Sequence, residues 1–175
     1  MNKEEIVELL QINHSDFVKQ ITGLTNADFC YEPKGKWSAA QQLDHLVRSV
    51  SPVNMALGLP KFIVQWKFGT ANRSSKTYDG LVEKYNRKLW EGGKASGRFV
   101  PLSVTAANKE KLLTRLTGVV SNLCYKTKKH SEEALDKYIL PHPLLGKLTF
   151  REMLYFTAYH VEHHQHLVEK GLRRE

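Results

Sequence analysis

Apolar residues recur along much of this chain at spacings of three, four and seven, the period of a helix with one buried face. In the first such stretch, over about 3–24, Ile6, Leu10, Phe17, Ile21 and Leu24 fall on one side. Asn26, Asp28 and Pro33 then predict a loop. A second pattern opens in "KWSAAQQLDHLVRSV". Ser38 is followed three residues later by Gln41, the capping-box arrangement that starts a helix, and Leu43, Leu46, Val47 and Val50 make its stripe. Pro52 is expected to kink or end this helix, and Pro60 to stop any continuation. A third helix is predicted over about 106–128, on Leu112, Leu113, Leu116, Val119, Val120 and Leu123. The fourth begins at "LTFREMLYF", where Thr149 and Glu152 form another capping box and Leu148 and Met153 stand at the positions of a hydrophobic staple; it should run to about Leu172.

The segment 61–101 is the least regular. "FGTANRSSK" and "EGGKASGRFVP" read as loops, with a short helix between them at Tyr78–Trp90. So long an excursion should carry structure of its own or cover an opening. No period-two run is convincing, so no hairpin is predicted. The expected fold is all-α: a four-helix bundle in one domain, 1–175, with a long crossover between its second and third helices.

Composition narrows the class. With 41% hydrophobic residues the chain can build a core at this size. It has no apolar run of membrane-spanning length. The start, "MNKEEIVELL", lacks the apolar block of a secretory signal, so a cytoplasmic protein is expected. Cys30 and Cys124 are far apart and form no CxxC pair, and Cys124 reads as a small core residue. The net charge is +8, but the basic residues are scattered, with short clusters at Lys126, Lys128 and Lys129 and at Arg173 and Arg174. No nucleic-acid module or stacking signature accompanies them, so no nucleic-acid partner is expected.

Histidine is the unusual residue. Four of the eight crowd into "YHVEHHQHL". At about 100° per residue, His164 lies about 40° from His160, with Met153 and Leu167 about 20° to either side of His160. His160 and His164 therefore occupy the centre of the apolar stripe. His163 falls about 60° away at its edge, and His166 about 120° away, outside it. Two imidazoles at i and i+4 on an inward face can chelate one metal ion, for which neutral imidazole is a good ligand. The pairs His160–His163 and His163–His166 also have ligand spacing but use rings off the stripe. An HExxH protease is excluded, because Val161 follows His160 and Glu162 points outward. A third ligand is needed. His45 sits mid-helix but about 150° from its own helix's apolar stripe, and His14 competes from the first helix. His130 and His142 read as surface or loop-packing residues.

Three segments carry a family likeness. "KWSAAQQLDHLVRSV" resembles the tryptophan-serine helix start, followed by a histidine, of the DinB-like superfamily; "FTAYHVEHHQHL" resembles its HxxxH helix; "HPLLGKLTFREML" resembles the connection before it. The resemblance implies a four-helix bundle with a long crossover, often dimeric. By position it implies a divalent metal, zinc or nickel, on His45, His160 and His164, with His163 beside the site but not a ligand. Trp37 and Ser38 match the helix start and are read as structural. Some relatives look like thiol-dependent transferases or isomerases using bacillithiol or mycothiol.

These readings lead to a metal-dependent S-transferase or hydrolase acting on a small-molecule substrate, with a low-molecular-weight thiol as partner, in a homodimer. A metal would acidify a bound water or thiol. No carboxylate stands out as general acid or base, and Tyr159 and Gln41 are the candidate helpers. The competing expectation is a non-enzymatic metal-binding or stress-response bundle that acts as a dimer.

Overall fold

A computed structural model describes residues 1–173. Four long helices form the bundle: α1 (Lys3–Thr22), α3 (Ala39–Leu57), α6 (Lys109–Lys128) and α8 (Phe150–Leu172). The pairs in contact are α1 with α8, α8 with α3, α3 with α6 and α6 with α1. Thus α1 stands diagonal to α3, and α6 to α8. The crossover from α3 to α6 holds two further helices, α4 (Lys61–Phe68) and α5 (Tyr78–Trp90), and α5 packs on α8.

The capping boxes set the two helices that matter most for the histidines. Ser38 accepts from the Gln41 amide while the Gln41 side chain accepts from the Ser38 amide. Thr149 and Glu152 do the same for α8. Glu152 is fully buried and also accepts from the Lys76 amide and, through both oxygens, from Arg73. One carboxylate thus caps α8 and fastens the crossover to it. Burial would raise its pKa, yet Arg73 and these amides hold it below the usual carboxylate range.

Several expectations are corrected. Residues 26–30 are not loop but the short helix α2 (Asn26–Cys30), capped by Thr25. Pro52 does not end α3, which continues to Leu57. A proline inside a helix costs about 3 kcal/mol. Val53, Ala56 and Leu57 beyond it are buried, and burial of large apolar side chains returns roughly 1.5–3 kcal/mol each. The segment 61–68 is helical although only Val64 is buried, so its pattern carried no stripe to read. After α7 (Glu132–Lys137), the chain forms a hairpin that the pattern did not reveal: β1 (Ile139–His142) and β2 (Gly146–Thr149), antiparallel, with Leu140 opposite Leu148. Gly146 takes a positive φ of 76°, and His142 Nδ1 accepts from the amides of Leu144 and Leu145 to close the turn. Strands of four residues are too short for alternation to register.

One apolar cluster runs from Ile6 on α1 through Leu46 and Leu116 to Val161 on α8, and Cys124 belongs to it. His130, expected at the surface or in loop packing, is buried, and its Nε2 donates to the Leu57 carbonyl. Among the described residues no helix is long and apolar enough to cross a membrane.

Candidate metal centre

The histidines of α8 divide as their angles require. His160 and His164 are buried, His163 is half-buried and His166 is exposed. His45 is buried as well, at 5% exposure, although it lies far round α3 from the apolar stripe. Its cover comes from the crossover. The segment 97–102 lies along the polar face of α3, held by three bonds: His45 Nδ1 to the Phe99 carbonyl (2.6 Å), the Leu102 amide to Asp44 Oδ2 (3.0 Å), and Arg48 Nη1 to the Arg98 carbonyl (3.4 Å). Arg48 in turn pairs with Asp44 at 2.6 Å. Residues 44, 45 and 48, which make a polar face of α3, are the seat of this strap.

His45 on α3 and His160 and His164 on α8 come together. Nε2 of His160 lies 3.2 Å from Nε2 of His45 and 2.9 Å from Nε2 of His164. Among the described residues these three are the one group of histidine, cysteine and carboxylate side chains with metal-holding geometry. His14 is not part of it; it is buried on α1 with Nδ1 donating to the Leu10 carbonyl.

The hydrogen bonds decide which nitrogens are free. A carbonyl oxygen only accepts, so His45 Nδ1 carries the proton and its Nε2 presents a lone pair. His164 Nδ1 donates to Gln42 Oε1, which leaves its Nε2 a lone pair too. Both lone pairs face Nε2 of His160. Burial is the main cause that keeps all three rings neutral: it lowers the pKa of His45, and those of His160 and His164 fall well below the ordinary histidine value, with the neighbouring imidazoles adding to the effect on both. Neutral rings whose second nitrogen is engaged elsewhere are the form in which histidine binds metal. The spacing of these two pairs also fits: nitrogens about 2.0 Å from one ion lie about 2.8 Å apart at right angles and about 3.3 Å apart at tetrahedral angles.

Aromatic rings wall the cluster. Trp37 lies 5.0 Å from the His45 ring and is stacked 6.4 Å from that of His164, so the residue read as structural touches two of the three. Phe156 stacks on His160 at 4.6 Å, and Tyr85 of α5 meets both His160 and His163 edge-on. Ser49 places its hydroxyl 3.4 Å from His45 Nε2. The candidate helpers lie elsewhere: Gln41 is occupied in the helix cap, and Tyr159 donates to Asn86. Sequence reasoning missed Gln42. The available signal was its place three residues before His45, about 60° from it round the helix, but nothing local links it to His164, 122 positions away.

Comparison with known proteins agrees with this architecture. A model of the DinB superfamily matches residues 9–168. The crystal structure of TT2238, a four-helix bundle protein, is similar over 97% of this chain and 99% of its own, with a TM-score of 0.60 and 14% identity. A mycothiol-dependent maleylpyruvate isomerase, solved as a histidine-to-alanine mutant, is similar over all of this chain at the same TM-score and identity; the chain spans 62% of that protein's length. At these identities the likeness is one of fold. No curated protein matches the chain in sequence.

Proposed function

The chain belongs to the DinB superfamily, and on that premise we propose that it is a metal-dependent enzyme in which His45, His160 and His164 hold one divalent ion, zinc or nickel, for thiol-dependent S-transfer or hydrolysis of a small molecule. The observation that carries this is the convergence of three neutral Nε2 atoms from two helices, with the other nitrogen of His45 and His164 already donated elsewhere. A bound divalent ion would supply Lewis acidity, lowering the pKa of a thiol or water presented at its open side. The chain's own residues orient the ligands. Phe99 and Gln42 fix the tautomers, Trp37 and Phe156 pack against the His45 and His160 rings, and Ser49 offers a hydroxyl at the edge of the cluster. The thiol branch draws support from the activity for which the similar isomerase is named and from the +8 charge, which suits an anionic thiol.

Metal analysis of the purified protein tests the site. Wild type should carry about one ion per chain, and His45→Ala, His160→Ala and His164→Ala should each lose it while keeping their helical circular dichroism. Full metal retention in His45→Ala would overturn the three-ligand reading. Conjugation of low-molecular-weight thiols to electrophiles, and ester hydrolysis, then test the chemistry.

A second reading, a non-enzymatic metal-binding bundle acting as a dimer, draws on the burial of all three histidines at 4–5% exposure. Metal binding without turnover of any thiol or ester would favour it.

A further inference from the structure

A second polar feature lies on another face of α5. Leu81 and Tyr85 point into the core, whereas Gly80, Lys84 and Arg87 lie roughly 80–140° round the helix. There they border an open groove of about 700 Å³ between α5, the residues before it and the hairpin. Five cations line it: Arg73, Lys76, Lys84, Arg87 and Lys147. The volume is in the range of small-molecule sites, roughly 300–1,000 Å³.

The charges there are poorly compensated. Arg73 is neutralised by Glu152, and Glu83 is the one carboxylate lining the groove. Five cations thus meet two carboxylates. Among the described residues, no carboxylate lies within ion-pairing distance of Lys76, Lys84, Arg87 or Lys147. Lys84 is half-buried, with its ammonium donating to the Leu145 carbonyl at 2.6 Å. Its pKa is lowered by burial first and then by Lys76, Arg73 and Lys88, against the opposing pull of Glu152. Crowding of like charge on a folded surface is unfavourable unless an anion offsets it. The same groove receives the first turn of α5, capped by Thr77, and a helix start favours negative charge. By contrast, the basic run near Lys126 is committed: Lys126 donates to the Asn54 carbonyl and Lys129 covers the Tyr125 ring.

We infer that this groove binds a small polyanion of the phosphate class, at a site separate from the three histidines. Phosphate oxygens suit the planar fork of Arg87 together with point-charge lysines. No aromatic side chain lines the groove on which a base could stack, and its cations gather in one concavity instead of tracking along a surface, so it lacks the marks of a nucleic-acid groove.

Calorimetric titration with inorganic pyrophosphate tests this, using the purified protein with and without added zinc. Saturable binding at one site is expected in both states. The Lys76→Gln/Arg87→Gln double variant should weaken it more than about tenfold, and Lys147→Gln, on the hairpin wall, should weaken it independently, with melting temperature and metal content unchanged. Lys34→Gln/Lys111→Gln, exposed and outside the groove, should leave it intact. Absence of saturation at millimolar pyrophosphate would overturn the proposal, as would an equal loss from the Lys34/Lys111 pair. Titrations with single-stranded DNA and with phosphatidylserine-containing vesicles complete the test. Tighter, groove-dependent binding to either that pyrophosphate does not compete away would also overturn it.

Discussion

Gln42 Oε1 and the Phe99 carbonyl each accept a hydrogen bond from the far nitrogen of a clustered histidine. Because the carbonyl belongs to the backbone, Gln42 is the partner that mutation can remove. Gln42→Leu should weaken zinc binding about 10–100-fold in chelator competition, the usual cost of losing such an outer partner, while Gln42→Glu should retain it. Equal affinities in wild type and Gln42→Leu would show that the ring is oriented by packing alone. His14 offers a pH prediction away from the cluster. Burial pushes its pKa down to about 4, against 6.5 in an unfolded chain. Between those values the unfolded state binds the extra proton, so stability is lost as pH falls from about 6.5 toward 4, by on the order of 3 kcal/mol from this one group. His14→Leu should therefore show a smaller drop in melting temperature between pH 7 and pH 5 than wild type; an identical drop would assign the acid sensitivity to other groups.

Among the elements, the 97–102 strap has the clearest task. It turns a polar helix face into a buried one and brings the partner of His45. Asp44 anchors it twice, through the Leu102 amide and through Arg48. Asp44→Ala should leave the helical content of the bundle intact while hastening proteolysis at Lys94 or Arg98 and the loss of zinc to chelator. Unchanged proteolysis and metal release would mean that His45 and Arg48 hold the strap without Asp44. The strap also explains a partial failure of periodicity. The angle of His45 about its helix is correct, but an angle names a direction and not what lies there. The angles of His160, His163, His164 and His166 succeeded because α8 packs against α1 and α3 on the side that its own apolar residues mark.

For the whole molecule, the ring order α1, α8, α3, α6 is what joins the two halves of the site. It places α3 beside α8, although α4, α5, α6, α7 and the hairpin separate them in sequence. The exterior bears on assembly. Phe62 and Trp66, one turn apart on α4, are 73% and 86% exposed, and Met55 at the end of α3 is also exposed. Apolar side chains grouped in this way are a common mark of a protein–protein surface, and a homodimer through α4 is the assembly we propose. Sedimentation should show a dimer that Phe62→Lys/Trp66→Lys converts to monomer. A wild-type monomer at tens of micromolar would remove this face from consideration.

The number of long helices, the capped starts of α3 and α8 and the inward face of α8 follow from the sequence alone, because capping and amphipathic spacing are interactions among residues a few positions apart; α6 starts at Lys109, three residues later than its pattern suggests, where no side chain caps it. The short hairpin, α4 and the continuation of α3 through Pro52 do not, since each is held by packing against distant segments that outweighs weak or contrary local preference. The same holds for the cluster itself. His160 and His164 share a helix, and their common direction is a matter of arithmetic. Tertiary structure decided that His45 joins them, that Gln42 and Phe99 orient the rings, and that all three are buried, because those contacts exist only once α3 has packed beside α8 and the crossover has folded back over α3.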